Sequence, residues 1–505
     1  MAATQTHTQV AIVGAGPVGL TLALLLRHRG VGVRVFESHP GLSRHPKARG
    51  IAASSMEVFR GLGIERDVRA VSLPAEHVRF FRGESLVDPA AELTAPGGGD
   101  EGSANTPSPG VLCSQDRLEP VLAAAARAAG AELRFGARVT DVRQSPELVE
   151  LVVAEGDEAP VRYTADVVAG CDGARSLVRE RAGIALTGEA GLAEFLSVRF
   201  RAPLGEAVRG REATSYFIAG GKGGFLAIDN DTEWIYQYPL AAGAQAAALR
   251  SDDEALTRLV RDAAGLPELE VEVADTMLWR MDACVAESFA AGRLVLAGDS
   301  AHQTPPTGGH GMNVGIADAE ALAWRLADAV GGGTVDAVGA ALARYSEERL
   351  PVAAAVVARS LDNTRRAYGI DDELLLGAGY APAPALPEGA YAPSGAIGRR
   401  LPHAALEADP GASIIDVAWG RARLIVADAP EPWRDRLAAI GSTSGEVPVV
   451  SVVSGSAATP GLCERAGLAP GEALLVRPDG VIAARGGLEP GDPWLERALS
   501  GVSMR

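Results

Sequence analysis

Between Val10 and Leu26 the chain runs as a short apolar segment, a glycine-rich interval and a longer apolar segment, "VAIVGAGPVGLTLALLL". Val10 to Val13 predict a strand buried on both faces, and Leu20 to Leu26, apolar almost all round, predict a helix wedged between layers. "VGVRVFES" predicts a second strand, so the opening reads as βαβ, followed by a helical stretch, "ASSMEVFRGLGI", that ends at glycine. Residues 85–110 are rich in Gly, Pro, Ser and acid without periodicity, the pattern of a mobile surface loop. "CSQDRLEPVLAAAARAAG" predicts a helix whose small residues allow close packing, and strands follow through Val152 and along "YTADVVAGCDG".

From Leu192 to Met281 the pattern changes. "EFLSVRF", "ATSYFIAG", "GFLAID", "EWIYQYPL" and "VEVADTMLWRM" are alternating and aromatic, which predicts a mostly antiparallel sheet with a helix over 253–264 inserted. "GRLVLAGDSAH" returns to the buried parallel-strand type. A helix over 313–330, ended by Gly331 to Gly333, and a second one to about Tyr368 come next. Residues 379–402 read as a proline-rich linker. Beyond it "ASIIDVA", "RARLIVA", "EVPVVSVVS" and "EALLVRPDGVIAAR" predict four strands, with a helical "PWRDRLAAI" between two of them, hence a small separate α/β domain.

Bulk properties narrow the class. A chain of 505 residues holds about two to four domains. Its net charge of −17, without a basic block, speaks against nucleic acid as a partner. No apolar run approaches the roughly 20 residues that cross a bilayer, and "MAATQTHTQV" lacks the basic-then-apolar pattern of a signal peptide. Cys113, Cys171, Cys284 and Cys463 are scattered without CxxC spacing, so neither a disulfide framework nor a zinc site is expected, and no metal is assigned. A reduced, cytoplasmic setting fits best.

The glycines carry the first chemical signal. Gly14, Gly16 and Gly19 between strand and helix predict a tight turn that lays a diphosphate against bare backbone at a helix N-terminus. Glu37, 23 residues after Gly14 at the end of the second strand, is placed to accept from a ribose hydroxyl. The competing reading is an ordinary strand-turn-helix with glycines for packing. Two further stretches follow strands and precede helices: Cys171-Asp172-Gly173-Ala174-Arg175-Ser176, and "GDSAHQTPPTGGHGMN", residues 298–313. Asp299 sits where a carboxylate can hold a ribitol hydroxyl, and Gly308 to Asn313 expose backbone N–H groups at a helix start. Such a helix end stabilises negative charge developing on a reduced flavin. Pro305 and Pro306 stiffen that loop. Asp299 can equally cap its turn, Asp172 can be a turn aspartate, and Lys47 and Arg49 can be solvated charges. His302 and His310 receive no proton-transfer role.

These three motifs in order resemble the class A flavin-dependent aromatic hydroxylases, the para-hydroxybenzoate hydroxylase-like group, over almost the whole chain. "RHPKARGIAASSMEVFRGLGI", "CSQDRLEPVL" and the appended domain resemble the polyketide and aromatic natural-product hydroxylases within it. The resemblance implies an α/β fold: a Rossmann-type FAD-binding domain (1–80, 111–184 and 282–378), an inserted, mostly antiparallel substrate sheet (81–110 and 185–281), the linker, and a thioredoxin-like α/β domain (403–505). Cys463 is the only cysteine of that last domain, so thiol-disulfide chemistry is excluded and a structural or dimerisation role is the default, a homodimer included. Its removal is expected to leave flavin binding largely intact.

Residue by residue, the resemblance implies that Gly14, Gly16, Pro17, Val18 and Gly19 lie on the FAD diphosphate, with Glu37 and Ser38 at the adenosine ribose. Arg49 and Gln115 match positions that touch the cofactor, and Lys47 stands where arginine is frequent. Asp172 and Arg175 belong to a stretch linked to FAD and nicotinamide cofactor binding. Asp299 meets the ribitol and diphosphate, and the backbone of Pro306, Gly309, Gly311, Met312 and Asn313 meets the isoalloxazine; His310 departs from a frequent glutamine. The aromatic sheet over 215–238, with Tyr216, Phe217, Phe225, Trp234, Tyr236 and Tyr238, is the expected wall of the substrate pocket, with Pro305, although any one ring can simply pack the sheet core. The implied activity is hydroxylation of an aromatic or polyketide substrate with O₂ through a flavin C4a-hydroperoxide, NADPH docking transiently as reductant. No catalytic base is named. Baeyer–Villiger oxygenation on the same scaffold and a non-catalytic flavin-binding partner are the other readings. A halogenase is disfavoured because WxWxIP is absent.

Overall fold

The computed structural model describes residues 7–43, 45–73, 79–94, 104–156, 158–241, 246–332, 335–366, 373–440, 447–452, 458–489 and 492–499. Its first sheet has parallel strands at its centre, in the spatial order Leu294–Leu296, Val161–Gly170, His7–Val13, Val33–Glu37, Glu132–Phe135. Val10, Ala11 and Ile12 are fully buried, as two covered faces require. The helices Pro17–His28 and Gly311–Gly332 pack against one another on this sheet, and Gln115–Ala128 lies against the first of them.

Register explains why distant motifs meet. Val13 pairs with Gly170 on one side and Phe36 on the other, and Gly170 pairs with Leu296. Four parallel strands therefore end at one level, and the residues that follow, Gly14, Glu37, Asp172 and Asp299, emerge along one edge.

The second sheet runs in the order His302–Gln303, Glu272–Ala286, Leu186–Arg201, Glu233–Leu240, Gly224–Ala227, Ser215–Ile218, Phe80–Gly83, Glu92–Thr94. All its pairs are antiparallel except Phe80–Gly83 with Ser215–Ile218. Helix Asp253–Ala264 contributes Leu256 and Val260 to the core on one face, where Phe200, Phe225, Trp234 and Tyr236 are buried. The loop expected over 85–110 is partly structured, because Glu92–Thr94 pairs with Phe80–Gly83 and Leu86 is buried; residues 95–103 lie outside the described residues. The last long helix is described as Val335–Arg366, and Tyr368 and Gly333 also lie outside.

The C-terminal sheet has the order Val449–Ser451, Arg423–Val426, Glu472–Val476, Ile482–Gly487, the first pair parallel and the others antiparallel. With helices Glu431–Ala439, Pro460–Ala466 and Trp494–Leu499 between and after the strands, this is a thioredoxin-like arrangement. "EALLVRPDGVIAAR" folds as two strands of a hairpin rather than one. "ASIIDVA" is not a strand but the helix Ile414–Ala418. A capping box decides it: Ser413 Oγ accepts from the Ile415 N–H at 3.2 Å, and Asp416 accepts from the Ser413 N–H at 2.8 Å.

Candidate active site

Along the edge where the parallel strands end, Gly14 takes φ +105°, and a Cβ there would strike the Cys171 carbonyl; one on Gly19 would strike the Gly14 carbonyl. Helix and strands approach too closely for any other residue. Gly16 differs, since a Cβ there would touch nothing within 4 Å. It begins the helix Pro17–His28 with no side-chain cap and no acid in the first turn, so the positive helix end faces open space. Glu37 accepts from the Ala15 N–H and the His39 N–H, each at 2.9 Å. Burial acts to raise its pKa, but these bonds and the His39 ring outweigh it and hold the carboxylate below its ordinary range.

Asp172 lines the same cavity, yet both its oxygens serve its own turn. Ser176 Oγ donates at 2.5 Å and the Val178 N–H at 3.1 Å. Asp299, in the short turn Gly298–Ser300, opens to the cavity; the surrounding protein raises its pKa by desolvation, against the pull of His302 and Lys47. Beneath it lies a polar knot absent from the sequence reading. Asp318 accepts from the Gly298 N–H at 3.0 Å, from His302 Nε2 at 2.6 Å and from Arg349 Nε at 2.8 Å, all in the core. Burial would raise the Asp318 carboxyl, but His302 and Arg349 pull it down to about 2. Asn313 is a second knot. Its oxygen accepts from the Ala52 N–H and Ser55 Oγ, and its amide donates to the Gly50 and Gly309 carbonyls, at 2.8–3.0 Å. Its side chain is thus committed to holding the loop.

From this edge one cavity of about 2300 Å³ runs to the second sheet. The pleat decides which side chains face it. Phe195, Ser197, Gln237, Met277 and Trp279 share one face, and Leu196, Val198, Phe200, Trp234 and Tyr236 the other. Phe195 and Trp279 stack at 4.5 Å with 11° between their planes. Across them runs a line of hydrogen bonds. Trp279 Nε1, which can only donate, fixes the Gln237 oxygen as acceptor at 2.9 Å. Gln237 Nε2 then donates to Ser197 Oγ at 2.9 Å, which leaves the Ser197 hydroxyl to donate to His45 Nε2 at 2.7 Å, and His45 Nδ1 to donate to Asp275 at 3.2 Å. His45 is neutral in this scheme, in accord with a pKa lowered by burial and by Lys47 and Arg199 against the opposing Asp275.

Residues 7–360 match the family model described as FAD binding domain, and residues 394–502 match the one described as aromatic-ring hydroxylase, C-terminal. The chain belongs to the FAD-binding aromatic-ring hydroxylases. It is 31% identical to the tetracenomycin B2 monooxygenase-dioxygenase of Streptomyces olivaceus, over 98% of both chains. Among solved structures it resembles the flavin-dependent monooxygenase PieE in complex with FAD and substrate (TM-score 0.87, 28% identity, 99% of this chain and 100% of that one). It also resembles aklavinone-11 hydroxylase in a ternary complex with FAD and aklavinone (TM-score 0.84, 30% identity, 97% of each chain). This hydroxylase is a flavin-dependent monooxygenase with FAD as its cofactor.

The residues present suit that cofactor: a bare, uncapped helix end at Gly16, an anionic Glu37, and at Gly309 a backbone whose Cβ would meet nothing within 4 Å. Pro17, Val18, Ser38, Lys47, Arg49 and Gln115 line the cavity, as do Arg175, Pro306, Gly311 and Met312. Gly19 does not; it lies behind Gly14 as packing. The expected substrate wall needs correction. Trp234 and Tyr236 do not line the cavity, because the pleat turns them into the core under helix Asp253–Ala264, where the Tyr236 hydroxyl donates to the Lys222 carbonyl. Tyr216 and Phe225 touch the cavity but pack in that same core, and the Tyr216 hydroxyl donates to Asn230. Pro305 is buried and Pro306 takes its place at the cavity. Among the described residues no helix is long and apolar enough to cross a membrane.

Proposed function

We propose that this hydroxylase inserts one oxygen atom from O₂ into an electron-rich ring of a polycyclic, polyketide-type aromatic, with NADPH docking transiently as the reductant. The observation that carries the reading is the single cavity of about 2300 Å³, which joins the cofactor edge to a wall built from the stacked Phe195–Trp279 pair. Much of this volume is the FAD cleft around Gly14–Val18 and Glu37, so the substrate class rests on the flat, stacked aromatic wall at its far end, which suits a planar fused-ring molecule. The relatives named as a polyketide hydroxylase and as aklavinone-11 hydroxylase support the same class. When bound, FAD supplies the electron transfer and the activation of O₂.

The chain's own residues bind, orient and exclude water. The helix end at Gly16, Pro17 and Val18 holds the diphosphate, Glu37 and Ser38 the ribose, and Asp299 the ribitol. Backbone from Pro306 to Met312 would meet the isoalloxazine of bound FAD and stabilise negative charge on it. Lys47, Arg49, Gln115 and Asp172 complete the cofactor's surroundings. On the substrate side Gln237, held at both ends of its amide, keeps one N–H for a ring oxygen, and the apolar face sheds water around it. The test is NADPH oxidation by purified, FAD-loaded protein against a panel of polycyclic phenols and anthraquinones, with mass spectrometry and NMR of the products. Stimulated oxidation and a ring-hydroxylated product of +16 mass are expected. A lactone of the same mass would replace hydroxylation by Baeyer–Villiger oxygenation, and no stimulated oxidation with any member would overturn the reading.

A further inference from the structure

A line of charged residues, buried apart from the quarter-exposed Glu348, joins the cofactor edge to the C-terminal domain. It begins at the Gly298 N–H on Asp318 and passes to Arg349. Arg349 donates Nη1–H to the Tyr380 hydroxyl at 3.2 Å, so the segment between the domains is part of the chain. The Tyr380 ring lies between two cations, the Arg349 guanidinium 6.0 Å from its centre and that of Arg477 5.2 Å from it. Arg477 belongs to the thioredoxin-like domain. It donates to Asp479 at 2.6 and 3.0 Å and crosses to Glu348 at 2.8 Å, one residue before Arg349 on the long helix. Arg325 meets the same Glu348 at 2.5 Å, and Trp324 donates to Asp479 at 3.0 Å.

Three guanidiniums (Arg325, Arg349, Arg477) and three carboxylates (Asp318, Glu348, Asp479) make up this line, with His302 also on Asp318 at its start. These three arginines are 4%, 2% and 7% exposed, so solvent screens them little. Loss of Arg477 alone leaves an excess negative charge in a low-dielectric interior, and the remaining cations must redistribute to meet it. Arg349 is held by Asp318, by the Tyr380 hydroxyl and by the Val314 carbonyl at 3.2 Å, so what reaches it from Arg477 passes through Tyr380, against whose ring Arg477 packs.

We propose that Arg477 is a positioning residue for FAD: through Tyr380 and Arg349 it fixes Asp318, and so the Gly298–Ser300 turn that presents Asp299. The C-terminal domain is on this view a working part of the cofactor site, in contrast to the expectation from sequence that its loss leaves flavin binding intact.

The test uses the full chain, deflavinated and titrated with FAD by fluorescence, with circular dichroism to report folding and amide hydrogen exchange at Gly298. Arg477→Met is expected to weaken FAD binding at least tenfold and to speed exchange at Gly298. The pair Arg477→Met with Asp479→Leu, which restores charge balance, should recover most of the affinity. A folded Arg477→Met protein that binds FAD within twofold of the original, with unchanged Gly298 exchange, overturns the proposal even if it melts earlier. Should Arg477→Met fail to fold, Tyr380→Phe, which removes only the hydroxyl that Arg349 reaches, is expected to give the same two changes. Their absence in that folded variant is equally decisive against it.

Discussion

Gly14 shows how much one residue can specify. Its φ of +105° is costly for any side chain, and the added Cβ would drive into the Cys171 carbonyl of the neighbouring strand end. Gly14→Ala therefore adds strain of about 1–3 kcal/mol at the point where backbone must lie bare. Its FAD affinity is expected to fall at least tenfold with an earlier melt, read by titration and calorimetry; unchanged affinity would deny the turn its role. The glycines, Glu37 and Asp299 are legible in sequence because each sits at a short, fixed distance from a strand end. Asp318 and Arg349 are not. They lie inside long helices, 31 residues apart, and nothing local marks a buried ion pair. The same holds for His45 and Asp275, which meet only once two domains have closed on each other.

At the scale of the element, the second sheet teaches a different lesson. Its strands are plain from alternation, but alternation gives two faces and not which one meets the cavity. Both carry aromatics: Phe195 and Trp279 on one, Trp234 and Tyr236 on the other. Helix Asp253–Ala264 takes the second face, and that choice is a matter of tertiary packing. A paired substitution separates the faces. Trp234→Ala empties a fully buried site and should cost about 3–5 kcal/mol of stability, with flavin reduction in the surviving folded fraction little changed. Gln237→Leu should leave the melting temperature within a few degrees and raise KM for the hydroxylated substrate about tenfold or more. The reverse pattern would put the substrate against the other face. The helix Ile414–Ala418 is a smaller case: five apolar-rich residues read as a strand until Ser413 and Asp416 are recognised as a capping box.

For the whole molecule, what matters is how the third domain is attached. The sequence marks residues 379–402 as a linker by composition, and composition says nothing of what such a segment touches. In the fold, Arg60 grips Asp416 at 2.6 and 2.8 Å, Arg400 meets Glu57, and Trp419 packs over Gly61 with its ring 5.4 Å from that of His28. This junction is rich in arginine, and His403 lies within it, its ring nitrogen 2.8 Å from Ser413 Oγ. Desolvation first, then Arg400, Arg465 and Arg60 against the weaker pull of Asp416, push the imidazole down to about 4. In the unfolded chain it titrates near 6.5, so the folded state binds fewer protons between those values. Its contribution to stability is complete above pH 6.5 and is lost as the pH falls toward 4. The loss falls in a range where carboxylates with ordinary pKa values are still largely ionised, and solvent at the half-exposed ring screens part of it. Thermal melts across this interval should therefore fall less steeply for His403→Asn, which cannot take up the proton, than for the hydroxylase, whose remaining slope includes His45. Equal slopes in the two proteins would mean that the junction loosens in acid for some other reason, and that the arginines around His403 do not govern it.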